Sequence, residues 1–496
     1  MTHTESAPQS HATSGTAVPI TVIRGDGIGP EVIGAALRLM EEAGASIDVE
    51  ECVAGAKVFE AGDQTGVPQE TIASIQRTGV ALKGPLATPI GYGEKSANVT
   101  LRKLFETYGN IRPAREIPGV ATPYSGRNID LVIVRENLED LYAGIEHMQT
   151  PGVALSLKVI TRHGSEKIAR LAFEFARSEG RRSVTCATKA NIMKLGEGMF
   201  QRTFDEVARE YPDIESRQIL VDNCAHQLVM RPEQFDVIVT TNMNGDILSD
   251  LTSGLVGGLG FAPSANVGSD TAMFEAVHGS APDIAGRDLA NPSAIMLSSV
   301  MMLRHIGQPA VASAIEDAVL VTLEDGKFLT GDIAKEHPPV GTIAFTDAVI
   351  SNLGRVPKIG ERRETRALVM PPSSWRPKVI EVTKREVVGM DVLIEESHMT
   401  AAQVGTAVED CTQGGPLRLQ IISSRGNKVW PGDTDDTEMI DTWRCRFIRR
   451  DESVEITDDQ IYHLLSCIGA KFRWANVQKL QVFDGVAGFT KSQGEE

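Results

Sequence analysis

The sequence predicts an α/β protein followed by a smaller α+β unit, on three observations. The 496 residues exceed the ~250–300 at which a single hydrophobic core stops growing, so the chain divides into at least two globular units. Strand-like and helix-like segments alternate up to about residue 350, as in layered α/β architecture. The stretch 355–375, inside "RVPKIGERRETRALVMPPSSWRP", is rich in Arg, Pro and Ser and reads as a linker.

Residues 1–17 are polar and rich in Ser, Thr and His. They lack the apolar run of a signal peptide and read as a disordered leader. Ile20–Ile23 reads as a short buried strand. A Gly-rich turn and a helix from about Pro30 follow, with Val32, Ala36, Leu39 and Met40 as the apolar face. Leu131–Arg135, Ser165–Arg177, Ser183–Ala187, Asp236–Thr240 and Ala294–His305 continue the alternation. Beyond the linker, residues 376–496 begin with strand-like "KVIEVTKREVVGMDVLIEE" and helix-like "MTAAQVGTAVEDC". "LRLQIISSRG" and "WRCRFIRR" read as strands and "DDQIYHLLSCIGA" as a helix.

Composition excludes some functions. With 49 basic against 66 acidic residues the net charge is −17, which argues against a nucleic-acid or anionic-membrane surface. It leaves open a small basic pocket for an anionic metabolite. The longest uncharged stretches, Leu251–Ser269 and Leu289–Leu303, are broken by glycines or too short to span a bilayer. Six scattered cysteines without a CxxC pair predict reduced thiols in a cytoplasmic protein rather than a disulfide scaffold or a zinc site.

Several motifs bear on chemistry. In "RGDGIGPE", Gly25 and Gly27 begin a dinucleotide fingerprint, but the next glycine falls at 29 and position 30 is Pro. The fingerprint is not met, and a tight strand-to-helix turn is the simpler reading. Arg102, Arg112 and Arg135 would clamp a polycarboxylate if brought together, because each guanidinium matches a carboxylate with a planar fork. Otherwise each is a solvated or salt-bridged surface residue. Asp246 and Asp250 lie four apart after a strand-like run, on one face of a helix. A divalent ion such as Mg²⁺ or Mn²⁺ is their natural occupant, with a helix cap plus a surface Asp as the alternative. Asp222 is a possible third ligand. Lys189 and Tyr142 are capable of proton transfer once desolvated or near a cation, and in isolation read as a surface Lys and a half-buried Tyr. The stretch 274–294 combines His, Gly, Pro and Asn before a long helix, suiting a nucleotide laid over exposed backbone at a helix start or a long connecting loop.

As an ordered set, "GDGIGPE", "RENLEDLYAG", "TKANIMK", "NMNGDILSD" and "HGSAPDIAG" resemble the β-decarboxylating dehydrogenases, in particular the isocitrate dehydrogenases. The resemblance covers residues 18–354, and the tail is similar to the extra C-terminal domain of a subset of dimeric bacterial members. It implies a non-Rossmann isocitrate/isopropylmalate dehydrogenase-like fold. A large α/β domain (18–107 and 257–354) and a small domain with dimer contacts (108–256) would flank the substrate cleft, with a C-terminal α+β domain at 376–496.

The resemblance further implies that Ser96, Asn98, Arg102, Arg112 and Arg135 hold isocitrate, and that Tyr142 and Lys189 are the acid/base pair. Asp222, Asp246 and Asp250 would bind Mg²⁺ or Mn²⁺, with Lys189 and Asp222 reaching in from the partner of a homodimer. Thr88, His278, Gly279, Asp283, Ile284 and Asn291 would contact the cofactor. The implied reaction is the oxidative decarboxylation step of the tricarboxylic acid cycle. Asp283 and Ile284 stand where NADP enzymes of the family typically place Lys and Tyr, and Gly331 where they use Tyr. NAD is therefore the expected cofactor, Asp283 accepting from the free ribose 2′-hydroxyl and repelling a 2′-phosphate. NADP is the alternative, with Lys335 and Arg231 as dissenting residues. A 3-isopropylmalate dehydrogenase is the nearest rival, disfavoured because Ser96 and Asn98 would face an isopropyl group unpaired. The tail reads as a dimer-stabilising appendage or, alternatively, a regulatory module.

Overall fold

The computed structural model describes residues 17–87, 96–335, 337–358, 368, 370, 376, 379–432, 437–492 and 495. Of the expected leader (1–17) only residue 17 is described and of the expected linker (355–375) only 355–358, 368 and 370, and Thr88 lies outside the described residues. Two compact units emerge. One holds Met1–Tyr142, Val159–Ile192 and Gly196–Arg376; the other holds Ala143–Lys158, Met193–Leu195 and Pro377–Glu496.

Among the described residues twelve strands precede the C-terminal region: β1 Val18–Ile23, β2 Ile47–Cys52, β3 Val80–Lys83, β4 Gly109–Arg115, β5 Asp130–Glu136, β6 Glu146–Thr150, β7 Val153–Ser156, β8 Ser183–Thr188, β9 Glu215–Leu220, β10 Val237–Thr240, β11 Pro263–Val267 and β12 Ala272–Ala276. In the first unit ten of them form one sheet, ordered β2-β1-β3-β12-β11-β4-β5-β10-β8-β9. The central runs "VALK", "SVTCAT" and "VIVT" are buried throughout, as expected of strands covered on both faces by helices. Pairing is parallel except around β11 and β4, where β11–β12, β11–β4 and β4–β5 are antiparallel. Helices Gly29–Glu42, Arg162–Ser178, Ser293–His305 and Pro309–Asp325 bury apolar stripes in the principal core.

The "GDGIG" segment is a structural turn. Gly25 and Gly27 have φ of 75° and 58°, a region open to Gly without strain. A side chain on Gly27 would strike the Ser280 carbonyl. Asp26 accepts from the N–H groups of Ala56 (3.0 Å) and Ala87 (2.8 Å).

The second unit contains a six-stranded antiparallel sheet from β13 Arg385–Glu395, β14 Leu417–Ser424, β15 Asn427–Trp430, β16 Thr442–Arg449, β17 Arg473–Phe483 and β18 Val486–Ala487. Helices Ala401–Asp410 and Asp458–Lys471 both start with capping boxes, Thr400 with Gln403 and Thr457 with Gln460. The β6–β7 hairpin belongs to this unit, although the sequence places it in the 108–256 domain. Its Gln149 donates to the Leu393 carbonyl at 3.4 Å. The expectation of reduced thiols fails at one place. Cys411, just past the end of the first helix, and Cys467, within the second, form a disulfide with Cα atoms 5.6 Å apart. Fifty-six residues separate them in sequence, so spacing carried no signal. The other four cysteines are free thiols.

Candidate active site

Arg102, Arg112 and Arg135 come from three different elements of the first unit: helix Ala97–Leu104, strand β4 and strand β5. Arg112 donates to Asn110 Oδ1 and to Ser249 Oγ, each at 2.6 Å, and lies 3.4 Å from Asp246 and 3.5 Å from Asp250. Arg135 donates twice to Asn242 Oδ1 (3.0 and 2.7 Å) and pairs with Asp246. Arg102 pairs with Glu275 at 3.2 Å, and its Nε is buried without a partner. Burial, followed by the like charges of Arg135 and Arg102, pushes Arg112 down to about 10. Burial and Arg102 likewise lower Arg135. These cations are under-compensated.

Helix Asn242–Val256 carries their counter-charges. Gly245 on it lets the Arg135 side chain pass close, since a Cβ there would lie 2.6 Å from Arg135 Cγ. Burial opposes ionisation of Asp246, but Arg135, Tyr142 and Arg112 outweigh it and hold the carboxyl below its ordinary range. Asp250 is shifted up, chiefly by burial. Tyr142 donates to Asp246 Oδ2 at 2.6 Å, and the Arg135 guanidinium sits 4.9 Å from its ring centroid. Burial first, and then Asp246, raise the phenol above its usual value, with Arg135 opposing.

Lys189 and Asp222 stand apart from this group. They pair with each other at 2.8 Å, which lowers Asp222, and neither bonds to Tyr142, Asp246 or Asp250. Among the described residues no three His, Cys, Asp or Glu side chains are grouped to hold a metal ion. The three-carboxylate set is therefore not assembled within one chain.

Ser96 begins the Ala97–Leu104 helix, with no side-chain cap bond. Asn98 accepts from Lys83 Nζ at 2.8 Å. Lys83 is buried, paired with Glu275 and pushed down mainly by burial. Glu275 also accepts from Asn266 at 2.7 Å. Sequence reading missed Lys83, Glu275, Asn242 and Ser249. The available signal was a charged residue closing or interrupting an apolar strand run, "VALK" and "AMFEA".

The loop after β12 holds the expected cofactor residues. His278 has a buried Nε2 without a partner, and nothing lies within 4 Å of where a Gly279 Cβ would stand. Asn291 donates to Asp332 at 2.9 Å and accepts from the Ser293 N–H at 2.9 Å, fixing the start of helix Ser293–His305. Asp283 and Ile284 form a short 3₁₀ turn. Asp283 is exposed, and Arg287 turns back to its carbonyl at 3.2 Å. Lys335 donates to the Ala121 carbonyl at 3.2 Å.

Residues 19–349 match the family model described as isocitrate/isopropylmalate dehydrogenase, and 385–495 match the bacterial isocitrate dehydrogenase C-terminal domain. The chain is 56% identical over 493 residues to an isocitrate dehydrogenase [NADP] of Thermus thermophilus, covering 99% of each. It is 42% identical to an isocitrate dehydrogenase [NADP] of Rickettsia felis, covering 96% of this chain and 99% of the relative. A crystal structure of a Thermus thermophilus protein superposes with a TM-score of 0.93 at 57% identity, covering 96% of each chain. These near full-length relatives named for NADP overturn the NAD expectation. The physical reason is that Asp283 is exposed, so solvent and salt screen its repulsion of a 2′-phosphate. The two matched regions and the shared fold together establish that the chain belongs to the isocitrate/isopropylmalate dehydrogenase family and carries the bacterial isocitrate dehydrogenase C-terminal domain.

Proposed function

We propose that the chain oxidatively decarboxylates isocitrate to 2-oxoglutarate and CO₂, with NADP as oxidant and Mg²⁺ or Mn²⁺ as metal, working as a homodimer. The observation that carries this reading is the convergence of Arg112 and Arg135, both shifted down by burial and like charge, on the group of Tyr142, Asp246 and Asp250, with the charge of Arg102 close by. The NADP enzymes named among its relatives support the choice of cofactor.

The residues present fit both absent groups. Asp246 and Asp250 offer oxygen donors on one helix face, both within 3.5 Å of Arg112, a donor set that suits an oxygen-preferring divalent ion. The unpartnered His278 Nε2 and the open backbone at Gly279 fit a nucleotide. The bound nicotinamide would supply a hydride acceptor for C2, and a divalent ion held by Asp246 and Asp250 would supply a Lewis acid for the α-hydroxyl and α-carboxylate.

The protein's own groups supply the rest. Arg102, Arg112 and Arg135 bind and orient the carboxylates, one of which gives Arg102 Nε its missing acceptor. Tyr142, held in its protonated form, delivers a proton to C3 as CO₂ leaves. The proton of the C2 hydroxyl leaves by way of Lys189, whose ammonium first passes a proton to Asp222 or water. Within one chain Lys189 and Asp222 pair with each other, away from Tyr142, which supports their serving the site of a second copy. Exposed Val229, Met230, Met243 and Ile247 on the two helices that carry Asp222 and the Asp246/Asp250 pair offer apolar surface for that copy.

The test is the initial rate of cofactor reduction by isocitrate and Mn²⁺. NADP should be turned over well, and EDTA-treated protein should be inactive until Mn²⁺ is restored. Full activity in excess chelator, or no turnover with NADP, defeats the reading.

A further inference from the structure

Tyr142 and Asp246 must stay in contact for the proton-transfer site to exist, yet they sit on separate elements: the 3₁₀ turn Leu141–Ala143 after β5 and the Asn242–Val256 helix. That helix begins poorly. Its N-cap Thr241 makes no side-chain bond to the first turn, and the first turn holds no acidic residue. Such a terminus leaves backbone donors that need an outside acceptor.

Asp140 is that acceptor. Its side chain is completely buried, with φ of 66°, uncommon for a residue other than Gly. Its Oδ2 accepts from the Met243 N–H in the first turn at 3.0 Å, and its Oδ1 accepts from the Leu141 N–H at 2.7 Å. Its backbone pairs with Val159, Asp140 N donating to Val159 O at 2.8 Å. One neighbouring bond runs in parallel: Asn242 Nδ2 donates to the Glu139 carbonyl at 3.3 Å. A single buried carboxylate thus grips both the residue before Tyr142 and the helix that carries Asp246.

We propose that Asp140 is a positioning residue that keeps the Tyr142 hydroxyl on Asp246, by bonding the Leu141 and Met243 N–H groups with one carboxylate. This rests on the reading of Tyr142 as the proton donor to C3. It separates Asp140 from a general structural part: its loss impairs the step that Tyr142 serves and spares substrate binding and the redox step.

The full-length enzyme tests this with Asp140→Asn, which keeps one acceptor oxygen, alongside Tyr142→Phe and the double variant. Two reactions are compared: oxidative decarboxylation of isocitrate, and reduction of oxalosuccinate, which bypasses proton delivery to C3. Asp140→Asn should lower kcat for isocitrate roughly tenfold with KM and oxalosuccinate reduction within about threefold. The double variant should be no slower than Tyr142→Phe. Equal losses in both reactions, or losses that multiply in the double variant, overturn the proposal. If Tyr142→Phe itself is unimpaired, the reading of Tyr142 falls and the proposal with it. Impairment in Tyr142→Phe alone overturns only the role of Asp140. Where Asp140→Asn fails to fold, hydrogen exchange on the wild-type protein decides: slow exchange at both Leu141 and Met243 supports the proposal, and fast exchange at either overturns it.

Discussion

Arg446 in the C-terminal unit and Arg135 in the first unit are equally hidden, each 1% exposed, and they respond to burial in opposite ways. Arg446 forms a two-pronged pair with Asp391, 2.8 Å on each side, and reaches Glu495 at 2.8 Å and the Thr490 carbonyl at 2.9 Å. Burial opposes its charge, but Asp391 and Glu495 outweigh it and the guanidinium is shifted up. Arg135 shares one carboxylate, Asp246, with Arg112 and Tyr142, leans otherwise on the neutral Asn242 amide, and is shifted down. The first site is closed on itself and the second lacks anions. A buried cation whose partners suffice is part of the framework; a buried group of cations with too few partners points to an anionic ligand.

The contrast breaks most visibly at Arg446. Arg446→Leu leaves Asp391 and Glu495 with only Arg444, 3.9 Å from Asp391, to offset them, and should cost about 3–5 kcal/mol of stability in urea unfolding of the C-terminal transition. Kinetic constants of the folded fraction should not move. Arg135→Leu should do the reverse, lowering kcat/KM for isocitrate on the order of 100-fold with little loss in melting temperature, because one of several mutually repelling charges is gone. A third prediction concerns a carboxyl next to Arg135. Glu136 is buried and pushed up to about 7 by desolvation from an ordinary value of 4.5, while accepting from the Leu138 and Glu139 N–H groups. The folded state holds this proton more tightly than the unfolded chain. The group's contribution is therefore fully present below about 4.5 and is lost as pH rises to about 7, at roughly 1.4 kcal/mol per pH unit. Glu136→Gln should flatten that part of the stability–pH curve.

What the sequence revealed follows the same physics. The strands of the first sheet were legible because "SVTCAT" and "VIVT" are uninterrupted buried runs. β17, "RWANVQKLQVF", escaped notice because it is largely exposed and mixes charged with apolar residues. The arginine group and the Asp246/Asp250 pair could be named from motif order. Their supports could not: Lys83 meets Glu275, and Asp140 meets Met243, only through the fold. The cofactor reading went astray at Asp283 because sequence gives the sign of a charge but not its exposure. The Cys411–Cys467 bridge was hidden likewise, since the two helices meet only once packed on their sheet.

Calorimetric titration of isocitrate in the presence of Mn²⁺ tests the central claim most directly, with wild type, Arg135→Leu and Arg446→Leu compared under conditions where all three are folded. Wild type and Arg446→Leu should bind with the same affinity, while Arg135→Leu should bind at least roughly tenfold more weakly. Equal affinity in Arg135→Leu and wild type would contradict the assignment of the under-compensated arginines to the substrate.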